Sequence, residues 1–195
     1  MSRSIVSERV TRETKIEIKL NLDGTGQCNV YTGVGFLDHM LNQFAKHGFI
    51  DLTLHAEGDI EVDYHHTVED VGIVIGKAIG EALGDKAGIS RFGYTVVPME
   101  DALALCAVDF SGRPYLAFDV TFNSELIGGL ETEMIEEFFR AICLNCGLNL
   151  HIKMLAGKNS HHMAEAIFKA FAKAVEQAVR IDPRIEGAHS TKGIL

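Results

Sequence analysis

A duplicated α/β (α+β) fold is what this sequence predicts, and three observations predict it. Segments of strand length with alternating hydrophobicity are interleaved with amphipathic segments of helix length. The same order of segments occurs twice within 195 residues. Each copy also carries the polar motif His-His-x-x-Glu at the same place in that order, as His65-His66-Thr67-Val68-Glu69 and His161-His162-Met163-Ala164-Glu165. Packing alone requires no such motif, so a repeat that keeps it points to chemistry.

The elements follow in order. Lys15 to Leu22 alternates with period two and meets the turn Asp23-Gly24, which predicts a strand. Phe36 to His47 is an amphipathic helix whose apolar face is Phe36, Leu37, Met40, Leu41 and Phe44, with His39 and Gln43 four apart on its polar face. His47 then falls at a helix C-terminus, with Gly48 expected as the left-handed cap. Gly48 to Gly58 supplies a strand, and the motif at His65 opens a helical pattern from Val71 to Leu83. A bridge, Gly84 to Ile89, leads to the second copy: the strand Ala102 to Asp109 ending at Ser111-Gly112, the helix Thr132 to Asn145, the segment Gly147 to Gly157, and the motif at His161 with the helix Ala166 to Val179. His55 and His151 alternate with apolar strand residues and belong on the solvent side or core edge. Each half reads strand, strand, helix, strand, helix. The halves are 1–86 and 87–195, the second including the C-terminal tail, and they form one compact unit of two sheet/helix layers related by a pseudo-twofold axis.

Composition narrows the function. A 47% hydrophobic chain of this length buries a core without disulfides. Its net charge of −9 argues against a nucleic-acid partner, because a phosphate backbone needs a basic face. There is no apolar run of about 18 residues, so no membrane span is expected, and the start of the chain carries no signal core; the expectation is a cytoplasmic protein. Cys143 and Cys146 form a C-x-x-C pair on a helical pattern with no second pair to complete a zinc site, so they read as small core residues.

The histidines read as metal ligands. Residues three and four apart share a helix face, so each motif aims two imidazoles and a carboxylate at one region. Adjacent histidines diverge by about 100° around a helix axis, which suits two metals better than one. The expected ligands are His39, His65, His66, Glu69, His161, His162 and Glu165. Glu137, which the repeat places opposite His39, is a further candidate, and the same repeat sets Glu13 opposite Asp101. Mixed nitrogen and oxygen donors suit Mn²⁺, Fe²⁺, Co²⁺ or Zn²⁺.

Several runs together resemble the imidazoleglycerol-phosphate dehydratase family of histidine biosynthesis: Gly35-Phe-Leu-Asp-His-Met-Leu41, His65-His-Thr-Val-Glu-Asp70, Ser111-Gly-Arg-Pro-Tyr115, Ala156-Gly-Lys-Asn-Ser-His-His162 and Ser190-Thr-Lys-Gly193. The resemblance spans nearly the whole chain. It implies a dehydratase that removes water from D-erythro-imidazole glycerol phosphate to give imidazole acetol phosphate, a hydro-lyase with two Mn²⁺ per active site. It also implies an assembly of twenty-four subunits built from trimers, with sites shared between subunits. The chemistry expected is loss of the hydroxyl from a metal-bound imidazolate, through a diazafulvene whose neighbouring carbon then loses a proton. Glu165, Glu69, His66 and Glu13 are the candidate proton-transfer groups, with Glu165 preferred because its half also carries Lys169. Where some members of the family have a second metal-binding His, this chain has Glu137, which changes the charge of that position.

Substrate contacts are expected from Glu13 and Gln43. The same resemblance implies that Arg91, Arg113, Lys169, Ser190 and Lys192 hold the substrate phosphate. Lys169 stands four after Glu165, where the first half has Ile73, and the bland account is an ordinary surface pair worth about 0.3–0.5 kcal/mol. Two other classes compete: a dinuclear metallohydrolase, which would release phosphate, and a metal-bridged structural or storage shell, which needs no convergent basic residues.

Overall fold

The structure, a computed structural model, describes residues 3–195. The first half contains β1 (Ser4–Val10), β2 (Thr14–Asn21), β3 (Cys28–Tyr31), α1 (Gly35–Gly48), β4 (Asp51–Gly58) and α2 (His65–Leu83). The second contains β5 (Phe92–Met99), β6 (Ala102–Asp109), β7 (Tyr115–Asp119), a small hairpin of β8 (Leu126–Ile127) and β9 (Leu130–Glu131), α3 (Glu133–Cys146), β10 (Asn149–Ala156) and α4 (Ser160–Val179). The sheets have matching orders, β1-β2-β4-β3 and β5-β6-β10-β7. In each, two antiparallel pairings are followed by one parallel pairing, of β3 with β4 and of β7 with β10. The duplication is thus structural as well as sequential. Each four-stranded sheet carries one strand more than the strand-strand-helix-strand-helix pattern showed, and the second half adds the β8–β9 hairpin. β3 and β7 are short, half-buried edge strands, and four or five residues give too little alternation to stand out.

The helices of each half cover the inner face of their own sheet and meet those of the other half, α2 against α3 and α1 against α4. Inner-face residues such as Ile16, Ile18, Leu20, Ala104, Cys106 and Val108 are buried, while Lys15, Glu17 and Lys19 face outward. Phe44 on α1 stacks on Phe171 on α4 at 5.4 Å between the halves, and within the second half Phe138, Phe139 and Phe168 pack together at 4.9 to 5.4 Å. Contact of α2 with α3 is close because α2 presents Gly72 and Gly76. A Cβ on either would lie 2.7 Å from a carbonyl oxygen of α3, that of Phe138 or Ile142.

The end of α1 differs from expectation. The left-handed residue is Phe49, at φ 54°, and Gly48 is the last helical residue. Gly48 is small because a Cβ there would press within 3.3 Å of Ile50 and 3.4 Å of the Ala172 carbonyl on α4. In the second half the corresponding turn is made by Gly147 at φ 66°. His47 is not a strong cation at this helix end: partial burial, then the charges of Lys169 and Lys173, push its pKa down.

Candidate metal centre

Helix α4 begins at the second motif. Asn159 caps it, its side-chain oxygen accepting the backbone N–H groups of His161 and His162. One turn later, Glu165 faces α1, where His39 stands on the polar side. His39 Nε2 lies 2.9 Å from Glu165 Oε1 across 126 positions of sequence. The His161 ring sits 5.5 Å from that of His39, braced edge-on by Phe36 at 5.3 Å. The donor atoms of His39, His161 and Glu165 all lie within 4.8 Å of one another, and among the described residues this is the one group of three or more such side chains that converges. Two imidazoles and a carboxylate fit a divalent first-row cation. Glu165 is buried, which disfavours its charge, yet the hydrogen bonds and charges of Lys169 and His39 outweigh that and hold its carboxyl below the ordinary range. A buried carboxylate that Lys169 helps hold ionised, with an imidazole beside it, is a ready cation ligand.

The first motif has the same local geometry. The rings of His65 and His66 stand 6.3 Å apart at 83°, and those of His161 and His162 stand 6.2 Å apart at 87°. Both pairs therefore point in divergent directions, as adjacent helix positions require. His65 Nε2 is 4.0 Å from Glu69 Oε2, both side chains being about half exposed. Glu137 does not complete a second convergent group: its carboxylate accepts from Arg140 Nε at 3.3 Å. Gln43 lies half-buried one turn beyond His39 on α1.

The basic residues expected for phosphate do not all meet. Arg91, Arg113, Ser190 and Lys192 line one open cleft of about 820 Å³, together with His189 and Arg184. Lys169 lies elsewhere, donating to Glu165 Oε2 at 3.0 Å and resting 3.2 Å from the Met99 sulfur. Its i,i+4 spacing from Glu165 on a largely buried helix face decides this. The C-terminal segment is tied down rather than loose: isolated bridges join Ala87 to Ala188 and Ile89 to Ile181, and Arg91 Nη1 donates to the His189 carbonyl.

The family profile described as imidazoleglycerol-phosphate dehydratase matches residues 32–175. The chain belongs to the imidazoleglycerol-phosphate dehydratase family. It is 57% identical to the imidazoleglycerol-phosphate dehydratase of Alkaliphilus metalliredigens and 56% identical to that of Acetivibrio thermocellus, over the full length of each. Its fold is similar to that of the Staphylococcus aureus dehydratase (TM-score 0.83, 40% identity, 92% of this chain and 99% of that one). It is equally similar to that of the Pyrococcus furiosus enzyme (TM-score 0.84, 34% identity, 97% of this chain and 100% of that one). As an imidazoleglycerol-phosphate dehydratase it is a hydro-lyase of histidine biosynthesis. No helix among the described residues is long and apolar enough to cross a membrane.

Three carboxylates orient these groups, and the sequence pattern names only one of them, Asp101, as the repeat counterpart of Glu13. Asp101 accepts from His162 Nδ1 at 2.6 Å and from the backbone N–H groups of Lys158 and Asn159. These contacts, the His162 hydrogen bond foremost, hold its pKa far down. Asp59 accepts from His66 Nδ1 at 3.0 Å, and that hydrogen bond raises the His66 pKa. In both pairs Nδ1–H donates to a carboxylate, which leaves the lone pair of Nε2 free in the neutral ring, the arrangement a metal-binding imidazole needs. Asp109 grips Arg91 in two-point fashion, at 2.6 and 3.0 Å. Asp101 reaches His162 across 61 positions of sequence and Asp109 reaches Arg91 across 18, whereas Asp59 stands only seven before His66. The C-x-x-C pair stays structural: both thiols are free and buried, and burial pushes Cys143 up to about 12.

Proposed function

We propose that this dehydratase acts on D-erythro-imidazole glycerol phosphate with Mn²⁺ at two positions per active site, and that each site is completed between copies of the chain. The observation carrying this is the uneven state of two matched ligand sets. His39, His161 and Glu165 converge within one chain, while His65, His66 and Glu69 present the same residue types, half exposed and unconverged. Ligands left facing outward are what a second copy would complete. The outer face of the second sheet supports an assembly too: Phe92, Tyr94 and Val96 on β5 are exposed beside half-buried Leu103 and Leu105 on β6. A cube of twenty-four subunits built from trimers is the assembly proposed, and the free cysteines support the cytoplasmic setting proposed with it.

Bound metal would acidify the substrate's imidazole and so weaken the bond to the departing hydroxyl. The protein's own groups do the rest. Arg91, locked by Asp109, and Arg113 grip the phosphate with Ser190 and Lys192, holding the substrate carbon chain in one orientation. A carboxylate serving as proton acceptor needs an oxygen free to meet the substrate. Both oxygens of Glu165 are engaged, by His39 and Lys169, so Glu165 serves as a ligand. Glu13 is more than half exposed and has one carboxylate oxygen 3.8 Å from His66 Nε2. The geometry therefore favours Glu13 over Glu165 as the base, with Gln43 near the substrate hydroxyls.

The test is turnover of imidazole glycerol phosphate by metal-stripped protein with Mn²⁺ restored, following water loss and phosphate release separately. Dehydration that returns with Mn²⁺ supports the reading. Phosphate release without dehydration points to a metallohydrolase, and full dehydration by metal-free protein removes the metal from the reaction.

A further inference from the structure

The two halves differ beneath their motifs in a way the duplication makes visible. In the first half, Asp70 is buried on α2, four residues after His66 and on the same face. Its Oδ1 accepts from Arg9 on β1 at 2.9 Å, and its Oδ2 accepts from the Thr14 hydroxyl on β2. The matched strand registers put Val97 where Arg9 stands and Ala102 where Thr14 stands, and the helices put Ala166 where Asp70 stands. An apolar trio therefore fills this place in one half and a buried polar trio in the other. Packing accepts the apolar version, so the polar one needs another reason.

The hydrogen bonds supply it. A carboxylate only accepts, so Thr14 Oγ1 must donate to Asp70 and is left to accept from Thr11 Oγ1, 3.2 Å away. Thr11 Oγ1 in turn accepts the backbone N–H groups of Glu13 and Thr14, at 3.1 and 2.9 Å. The Glu13 carbonyl accepts from the Asp59 N–H at 3.1 Å, and the Asp59 carboxylate holds His66. The chain of contacts thus leaves α2 at Asp70, passes under the turn that carries Glu13, and returns to α2 at His66. In the second half no such relay is needed, because Asp101, the counterpart of Glu13, bonds His162 directly. In the first half Asp59 does that work, which leaves the Glu13 side chain free.

We propose that Asp70, with Arg9 and Thr14, is a positioning network that fixes the Glu13 turn relative to His66. This inference rests on Glu13 being the proton acceptor. A network of this kind acts on the chemical step, because a carboxylate displaced by about 1 Å costs rate on the order of 10²-fold without weakening phosphate binding.

The second half's own residues provide the test. The triple variant Arg9→Val, Thr14→Ala, Asp70→Ala imports a trio that this fold already packs. Measured on the assembled, Mn²⁺-loaded enzyme, kcat is expected to fall at least tenfold while KM and metal content stay within twofold. Thr14→Ser, which keeps the hydroxyl, is expected to hold kcat within twofold. In a Glu13→Gln background the triple change should have no further effect on kcat. Wild-type kcat in the triple variant, or an equal loss with and without Glu13, overturns the proposal; so does a Thr14→Ser enzyme as impaired as the triple. If Glu13→Gln alone turns over normally, the assignment of the base fails and the network's proposed role falls with it. An inactive Glu13→Gln beside a fully active triple variant removes the network alone. Should the triple variant not assemble, Thr14→Val against Thr14→Ser decides the same question by the hydroxyl alone.

Discussion

Glu13 and Glu165 are both glutamates beside an imidazole, yet their surroundings give them different expected roles. Glu13→Gln should retain metal and substrate binding and lose turnover by a factor on the order of 10² or more. Glu165→Gln should instead lower metal content, since it removes a ligand that closes the His39–His161 group. Metal analysis beside single-turnover kinetics separates them, and swapped outcomes would reverse the two assignments. His66 allows a pH test. Asp59 raises its pKa, so in metal-free protein the stabilisation from this pair is present below the unfolded-state pKa of histidine and is lost as pH rises through the raised value. Protons compete with metal for the same imidazole over that range. In Asp59→Asn, the His66 pKa read by NMR in metal-free protein should drop toward the ordinary histidine value; an unchanged or higher value would mean Asp59 is not its partner. The histidines and glutamates were legible in the sequence because the repeat singled them out. Asp59 and Asp109 were not, and Asp101 was only the repeat counterpart of Glu13, because no motif ties these carboxylates to the groups they orient.

At the level of elements, β2, β4, β6, β10 and all four helices followed from periodicity, since a half-buried strand and an amphipathic helix write their burial directly into residue order. The close approach of α2 to α3 leaves only glycines as its mark. An exposed helical glycine gains stability on becoming alanine, by about 1 kcal/mol. At Gly76 the sign should invert, because the new methyl would lie 2.7 Å from the Ile142 carbonyl oxygen and 3.0 Å from Asn145 Cβ. Gly76→Ala is expected to destabilise by about 1–3 kcal/mol, as overpacking does. Gly80→Ala, whose nearest atom would be Cys146 Cα at 3.4 Å, should be neutral or stabilising. Paired urea melts check this, and equal shifts at the two positions would show that α3 yields freely.

On the scale of the whole molecule, the outward-facing His65, His66 and Glu69 and the apolar face of the second sheet lead to two expectations. Thorough chelation should shrink the particle seen by sedimentation, and Mn²⁺ should restore it; a particle of unchanged size after complete metal removal would place the assembly's cohesion elsewhere. The C-terminal segment is anchored at Ala188 and carries Ser190 and Lys192 into the cleft beyond it. Removing the residues after Ala188 should therefore raise KM by tenfold or more with metal content intact. The dephosphorylated substrate is the control, since the truncation should hardly change its turnover.

From residue order alone came the duplication, the fold class, the two motifs and the family. These are properties of local periodicity and of repeated spacing, which residue order records directly. Tertiary structure decided that His39 meets Glu165 from the other half, that Lys169 turns to Glu165 and away from the cleft, and that Arg9, Thr14 and Asp70 form a polar trio whose counterpart is apolar. The first and third depend on which faces of distant segments are pressed together once the sheets are ordered and the helix layers packed, and a buried charge there finds its partner by that packing. Lys169 has Glu165 four residues away, and the structure decided only that this local pairing wins over the cleft.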